Sequence, residues 1–455
     1  MVKSRKNKTA GLFSVTIIFR VLFALYFLLS PIIAEENTTE TDLDEFMAED
    51  SKWKSDSFIR QSFLLNKSQI PAPYKTRTDL LSSYTRLRLG VKYTGEKLEA
   101  EASGNVDFIF SNYTGTPEFQ YLWMTENRNR MFFMEKIHDE KDYLVRADVH
   151  RLNATYNSSK VKLKFGRQSI SWGQSRFIDP LNLVTPTGPF IIDMEDIQGA
   201  DGLDANYYIN QTDFVELVVT PYRKMNDPDL KKLYYMDTNA LLRYKGTFGN
   251  SDVMLVTGHH YHSWVWGGDI SVTKWDASFR AGYLGRGERK LDDYAYFETN
   301  GNLPPKIAHQ GVIGTSYAFS GKYRVNFETL FNSAYSKNNP GLAEHAKQEG
   351  LTSAGFQQPI REDQSFFVSK GRIITKQPVL MELALGAEFT DTISANLITI
   401  YDPVGKSEVI IPNLSWNFHN EGVLVAGLFL YGNHGREGEF IGAKPSAYIF
   451  MRWHF

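Results

Sequence analysis

The chain has 455 residues, a formal charge of -2 and no cysteine, which excludes disulfides, zinc-thiolate centres and acylation of an amino-terminal cysteine. Removing the first 34 residues takes away five positive charges and no negative ones, moving the charge to about -7 and arguing against a nucleic-acid binder. The one long apolar stretch lies at the amino terminus, so a bundle of membrane-spanning helices, each needing about twenty apolar residues, is excluded too.

In chain order, Lys3, Arg5, Lys6 and Lys8 precede a largely apolar run from Leu12 to Ala34, interrupted by Arg20. A basic start, a short apolar core and a small residue before Glu35 are the pattern of a secretory signal peptide over residues 1–34; a retained amino-terminal anchor is the alternative. Eight acidic side chains between Glu35 and Asp50 then mark a polar lead-in. Ser57 to Leu65 fits a first strand or a short amphipathic helix, with strand the better fit, so residues 35–80 are read as lead-in plus this candidate strand and 81–455 as the main domain.

From Arg86 onward the chain reads as hairpins. Leu87, Leu89, Val91 and Tyr93 alternate with Arg86, Arg88 and Lys92; after the turn Thr94-Gly95-Glu96, Leu98, Ala100 and Ala102 alternate with Glu99, Glu101 and Ser103. Tyr143, Val145, Ala147 and Val149 likewise oppose Arg146, Asp148 and His150, and beyond Asn157-Ser158, Val161, Leu163 and Phe165 oppose Lys160, Lys162 and Lys164. Alternation of this kind sends one parity to hydrocarbon and the other to water. Turns near Asn210, Gly249, Trp275, Ser320 and Asp391 alternate with long connections at about 111–141, 169–200, 222–235, 287–307 and 334–365. The whole predicts an all-β fold, a transmembrane antiparallel β-barrel of about 16 to 18 strands, with eighteen preferred if Ser57–Leu65 is the first. No fixed-length repeat suggests a propeller or solenoid.

The least generic stretch is Gly166-Arg167-Gln168, then Trp172-Gly173-Gln174, Arg176 and Asp179-Pro180, with Gly202-Leu203-Asp204-Ala205 leading into another strand. A strand ending in Gly-Arg-Gln that enters a loop rich in Trp, Arg, Asp and Pro can fold that loop into a wide lumen. Arg167 and Arg176 would then place positive charge at a constriction, Asp179 a countercharge, and Gln168, Trp172 and Gln174 its wall; in the alternative reading the loop only braces the barrel. The Gly-Arg-Gln, Trp-Gly and Asp-Pro sequence resembles the Gly-Arg-Gln, Trp-Gly and Asn-Pro pattern of porin-like outer-membrane families, including alginate-export-like barrels, with Asp179 standing where those families often have Asn. That resemblance implies a channel.

On the lumen parity, Arg86, Arg88, Lys92, Arg146, Lys160, Lys162 and Lys164 outnumber Glu99, Glu101, Asp107 and Asp148, which hints at anion preference. If Arg86 and Arg88 face Glu99 and Glu101 across the hairpin, the wall is instead neutral and cross-braced. Leu424 to Leu430 alternates with Val423, Val425, Gly427 and Phe429, apolar on both faces, so that strand either packs on an internal plug or lines a route for a hydrophobic molecule. The last residues, Ala447 to Phe455, put Ala447, Ile449, Met451, Trp453 and Phe455 on one face. This ending resembles that of bacterial outer-membrane barrels, in which a terminal Phe is read by the assembly machinery. His259, His260 and His262 offer at most two metal ligands, and no nucleophile elbow is present. The sequence thus predicts an outer-membrane channel with no cofactor, surrounded by lipid, with periplasmic transport partners conceivable. Its rivals are an export or lipid-transport component and a surface-binding barrel.

Overall fold

The computed structural model describes residues 52–68, 78–114, 119, 130, 135–139, 143–185, 197–223, 236–261, 263–287, 307–333, 335, 375–435 and 437–455. The expected signal peptide, the acidic lead-in to residue 51, His262 and most of the long connections fall outside them.

Alternating sequence becomes strand throughout. In chain order the strands are β1 (Trp53–Ser55), β2 (Phe58–Lys67), β3 (Asp79–Thr94), β4 (Leu98–Ser111), β5 (Glu135–Asp139), β6 (Tyr143–Asn157), β7 (Val161–Gln168), β8 (Ala200–Tyr208), β9 (Phe214–Arg223) and β10 (Met236–Phe248). They continue with β11 (Ser251–His260), β12 (Ser263–Lys274), β13 (Ala277–Gly287), β14 (Ile307–Phe319), β15 (Tyr323–Asn332), β16 (Val379–Glu388), β17 (Ile393–Asp402), β18 (Ser407–Asn417), β19 (Gly422–Asn433) and β20 (Ser446–His454). All but β1 and β5 pair antiparallel with both ring neighbours and close an eighteen-strand barrel, sealed where β2 meets β20 through Phe58↔His454 and Leu65↔Ala447. The residues read as a possible first strand are therefore in the wall, which begins well before residue 81. β1 continues the β2 register along β3, with Trp53 opposite Tyr93 and Phe58 opposite Arg88. β5 pairs with the upper part of β6, above the point where β7 leaves the wall.

Short turns gather on the rim that carries both described chain ends. Two-residue turns demand positive φ at their central positions, and Trp275 and Asp276 adopt φ of 54° and 61°. The rim opposite carries the long connections, as the turn pattern predicts. Outward positions are apolar and exposed, among them Phe63, Phe110, Phe165, Leu255, Ile313 and Leu383. A closed cylinder with this girdle satisfies every wall N–H and C=O while meeting hydrocarbon, which is the condition for spanning a bilayer with strands.

Among the described wall strands the parity slips between β4 and β6. Gly104 pairs with Val149 but Ser103 pairs with Arg151, so His150 is an extra residue in a β-bulge. Beyond it the buried positions are Arg151, Asn153 and Thr155, while Leu152 and Tyr156 are exposed. Simple alternation through His150 does not foresee that shift.

Candidate functional site: the inward loop and the arginine wall

The segment from Ser169 to Thr185 turns into the lumen. At its neck Thr185 and Ile170 are tied by the Thr185 hydroxyl donating to Ile170 O (2.6 Å) and by Thr185 N donating to the same oxygen (3.2 Å). Just before it, Gly166 adopts a φ of +114°, where a Cβ would lie 2.2 Å from Leu152 O, so only glycine fits this exit from the wall. Inside the loop the Asp179 carboxylate folds the chain on itself, accepting from Ser175 N (2.7 Å) and Leu181 N (2.9 Å). Burial pushes the Asp179 carboxyl up to about 7; the two backbone donors pull against that shift, and the nearby Asp269 and Glu328 add to it.

The tip of the loop is pinned on the far wall. Glu328 lies on β15, eight strands from β7 round a ring of eighteen, and is fully buried. It accepts from the Ser175 hydroxyl (2.5 Å), Arg176 N (2.9 Å) and Phe177 N (2.9 Å), and from Arg280 Nε on β13 (2.6 Å). Arg280 reaches it across Gly314 on β14, where a Cβ would sit 2.6 Å from Glu328 Cγ. Apolar seats hold the loop on both sides. Phe177 and Ile178 join a cluster with Leu380, Ile400, Val409, Phe429, Tyr448 and Phe450 on the carboxy-terminal strands. Ile170, Trp172, Leu181 and Leu183 join Val218, Leu241, Met254 and Leu284 on the middle strands. Of the apolar inner face of β19, Phe429 belongs to the cluster that seats Phe177 and Ile178, and Val425 packs against that cluster.

The opposite sector of the lumen is basic. Register sets Arg452 on β20 opposite Arg60 on β2, Arg60 opposite Arg86 on β3, Arg86 opposite Asp107 on β4, and Asp107 opposite Arg146 on β6. One circumferential row therefore holds four arginines and one aspartate. Asp107 accepts from Arg86 Nε (2.7 Å), Arg86 Nη2 (2.9 Å) and Arg146 Nε (2.7 Å). Tyr84 presents its ring to the guanidinium carbons of Arg60 at 5.0 Å and Arg86 at 5.3 Å, and Phe58 does so for Arg88 at 4.6 Å. Like charges placed directly opposite destabilise a sheet, so stability alone does not account for guanidiniums on three adjacent strands.

The residues singled out from sequence are divided by the structure. Arg86, Arg88 and Arg146 face the lumen, but the partners differ from those expected: the β3–β4 register places Arg86 opposite Asp107 and Arg88 opposite Asn105, while Glu101 faces Lys92 and Glu99 faces Thr94. Glu101 and Glu99 accept instead from Asn153 (3.1 Å) and Asn157 (2.7 Å). Lys162 and Lys164 are half-buried on β7, and Lys160 is exposed in the turn before it. Arg167 is buried in the wall like Arg86, forked onto Asp201 through Nε (2.7 Å) and Nη2 (3.0 Å), with Val149 O bound by Nη1 (2.7 Å). Gln168 is buried beside it, donating to Lys164 O (3.2 Å). Trp172 is buried in the middle-strand cluster, with the Arg243 guanidinium 5.1 Å from its ring centre. Gln174 is half-buried and the Arg176 side chain exposed, and it is the Arg176 backbone N–H that anchors the loop. Asp179 serves the turn and not an arginine. At the seam, Trp453 stacks on His419 (4.7 Å between ring centres) and Phe455 N donates to Ser57 O (3.1 Å). His260 is buried with its Nδ1 3.3 Å from Arg286 Nη1, and among the described residues no group of three metal-ligating side chains occurs.

Sequence reasoning missed Arg60, Arg452 and Arg280 and did not single out Glu328. Arg60 alternates with Ile59 and Gln61, a signal available once Ser57–Leu65 is taken as strand. Glu328 is visible as a lumen position on β15, but its role depends on a contact about 150 residues away in sequence.

No protein-family model matches the chain, and no curated protein matches it in sequence. Among solved structures the fold is similar to that of Acinetobacter baumannii OccAB1, with a TM-score of 0.53 and 12% identity over 89% of this chain and 96% of that one. It is similar to OccAB2 of the same organism (TM-score 0.52, 9% identity, 88% and 97% covered). It is also similar to the outer membrane protein opdK from Pseudomonas aeruginosa (TM-score 0.50, 10% identity, 88% and 98% covered). At these identities the likeness is one of fold: the chain has the closed eighteen-strand antiparallel barrel that its alternating sequence implied.

Proposed function

We propose that this chain is a channel of the bacterial outer membrane that passes small anionic solutes between the seated loop and the arginine wall. The observation that carries the reading is the juxtaposition of an inward loop pinned across the lumen with a row of guanidiniums on the strands facing it. Eighteen strands enclose more space than wall side chains fill, and the loop reduces that space to a passage whose size and charge set what crosses. Guanidiniums bind carboxylates and phosphates through two parallel N–H donors and raise the local concentration of anions in a low-dielectric mouth. No bond is made or broken, and the chemistry calls for no cofactor.

The fold likeness to an outer membrane protein supports the location, as does the outward apolar girdle. On the apolar inner face of β19, which alone favoured a hydrophobic route, Phe429 and Val425 share one apolar cluster with Phe177 and Ile178 of the loop, which supports a seat for the loop over a lipid route.

The test is the reversal potential of the purified protein in a planar bilayer under a potassium chloride gradient, for wild type and Arg60→Gln plus Arg86→Gln. Anion selectivity weakened by the double substitution is expected. A conducting channel whose selectivity ignores it refutes the arginine wall, and absence of conductance refutes the channel.

A further inference from the structure

Under the seated loop the wall carries a carboxylate that the described residues do not hydrogen-bond. Asp269 on β12 is buried, and among the described residues neither of its carboxylate oxygens has a hydrogen-bond partner. Its neighbour across the ladder is Gly282 on β13. A Cβ placed on Gly282 would lie 3.6 Å from both Asp269 Cβ and Leu181 Cδ1, so Leu181 of the loop settles beside Asp269 over the bare glycine. Leu181 N donates to Asp179, Asp179 also accepts from Ser175 N, and the Ser175 hydroxyl donates to Glu328. Three carboxyl groups, Asp269, Asp179 and Glu328, are therefore strung along one loop-to-wall contact.

The charges facing this contact come from several elements. Arg243 and Lys245 on β10 and Asp252 on β11 act on Asp269. Asp269 and Glu328 act on Asp179. Glu328 has Arg280 on β13, with Glu382 on β16 and Arg176 of the loop close by. Arg243 is engaged by Glu216, and Arg280 by Glu328. Ionising Asp179 therefore adds negative charge beside the carboxyls of Asp269 and Glu328, between loop and wall where burial makes charge costly.

We propose that the loop is a proton-operated latch, seated over the wall carboxylate of Asp269 while Asp179 holds a proton and loosened from the wall when Asp179 ionises. The sign follows from Asp179. Its carboxyl is raised from 3.8 to about 7 in the seated loop, so the seated form binds the proton more tightly than a released, hydrated one. Seating is strongest below about pH 4, weakens by at most roughly tenfold per pH unit as the pH rises toward 7, and is level above it.

The latch rests on the channel reading only for its electrical readout, and the test separates the two. Single-channel conductance is measured at pH 4.5 and pH 8 for wild type and Asp269→Asn, with heat-dependent gel mobility showing that both barrels are folded. Wild type should gain conductance several-fold at pH 8, and Asp269→Asn should keep most of its acid-pH level. An unchanged pH response in Asp269→Asn overturns the latch. Because the chain has no cysteine, Gln174→Cys gives a second readout: labelling by a water-soluble thiol reagent, at pH 8 in both backgrounds, should be several-fold slower with Asp269→Asn. Equal labelling rates overturn the latch even if no variant conducts, whereas silence in every bilayer overturns the channel and leaves the labelling to decide the latch.

Discussion

Replacing Glu328 with alanine should free the loop while leaving the barrel closed. The carboxylate holds the Ser175 hydroxyl, the N–H groups of Arg176 and Phe177, and the Arg280 guanidinium, all within 2.5 to 2.9 Å. Each neutral donor left buried without an acceptor costs about 1 kcal/mol or more, and a buried guanidinium stripped of its carboxylate about 3 kcal/mol. Together these weaken the seated loop by roughly 4 to 6 kcal/mol, about three to four decades in the ratio of seated to released loop. Burial of Phe177 and Ile178 opposes release by about 2 kcal/mol each, so the variant should visit both states. Single-channel recording should then show flicker between the wild-type level and a larger one. Glu328→Gln, which keeps an acceptor oxygen but loses the charge, should fall between. The pairing of β15 with β14 and β16 is backbone-made and unaffected, so heat-dependent gel mobility should match wild type. A steady current at the wild-type level in Glu328→Ala would refute the pinning.

Gly314→Val should reproduce the Glu328 phenotype in part, because its Cβ would occupy the gap through which Arg280 reaches Glu328; recordings of the two variants side by side check it. Gly166→Ala should destabilise the folded barrel by about 1 to 3 kcal/mol, measured by denaturant unfolding in detergent, since alanine is forced to a positive φ and against Leu152 O. Asp201→Asn should destabilise the folded barrel through loss of charge opposite the buried Arg167, measured by denaturant unfolding in detergent.

Strand parity was legible because each side chain answers only to its own position: Leu87 out and Arg86 in follow from period two. Turn positions were legible for a similar local reason, and the inward loop could be anticipated from a glycine-bounded stretch rich in Trp, Arg and Asp. Register was not. Whether Arg86 meets Glu101 or Asp107 depends on how many residues the Thr94–Leu98 turn consumes, and the structure places Thr94 opposite Glu99. The bulge at His150 is likewise invisible to alternation. The anchoring role of Arg176 was not legible because its backbone N–H makes the contact with Glu328, and backbone donors leave no mark in sequence. The arginine row needed ring closure: Arg452 and Arg60 are nearly four hundred positions apart and meet only because β20 pairs with β2.

The account stands or falls most directly on solute flux. Liposomes carrying the purified protein should swell faster in a small organic anion than in a neutral solute of equal size, with the difference shrinking as salt screens the guanidiniums. Equal swelling rates for the two solutes at low salt, or no entry of either, would contradict it.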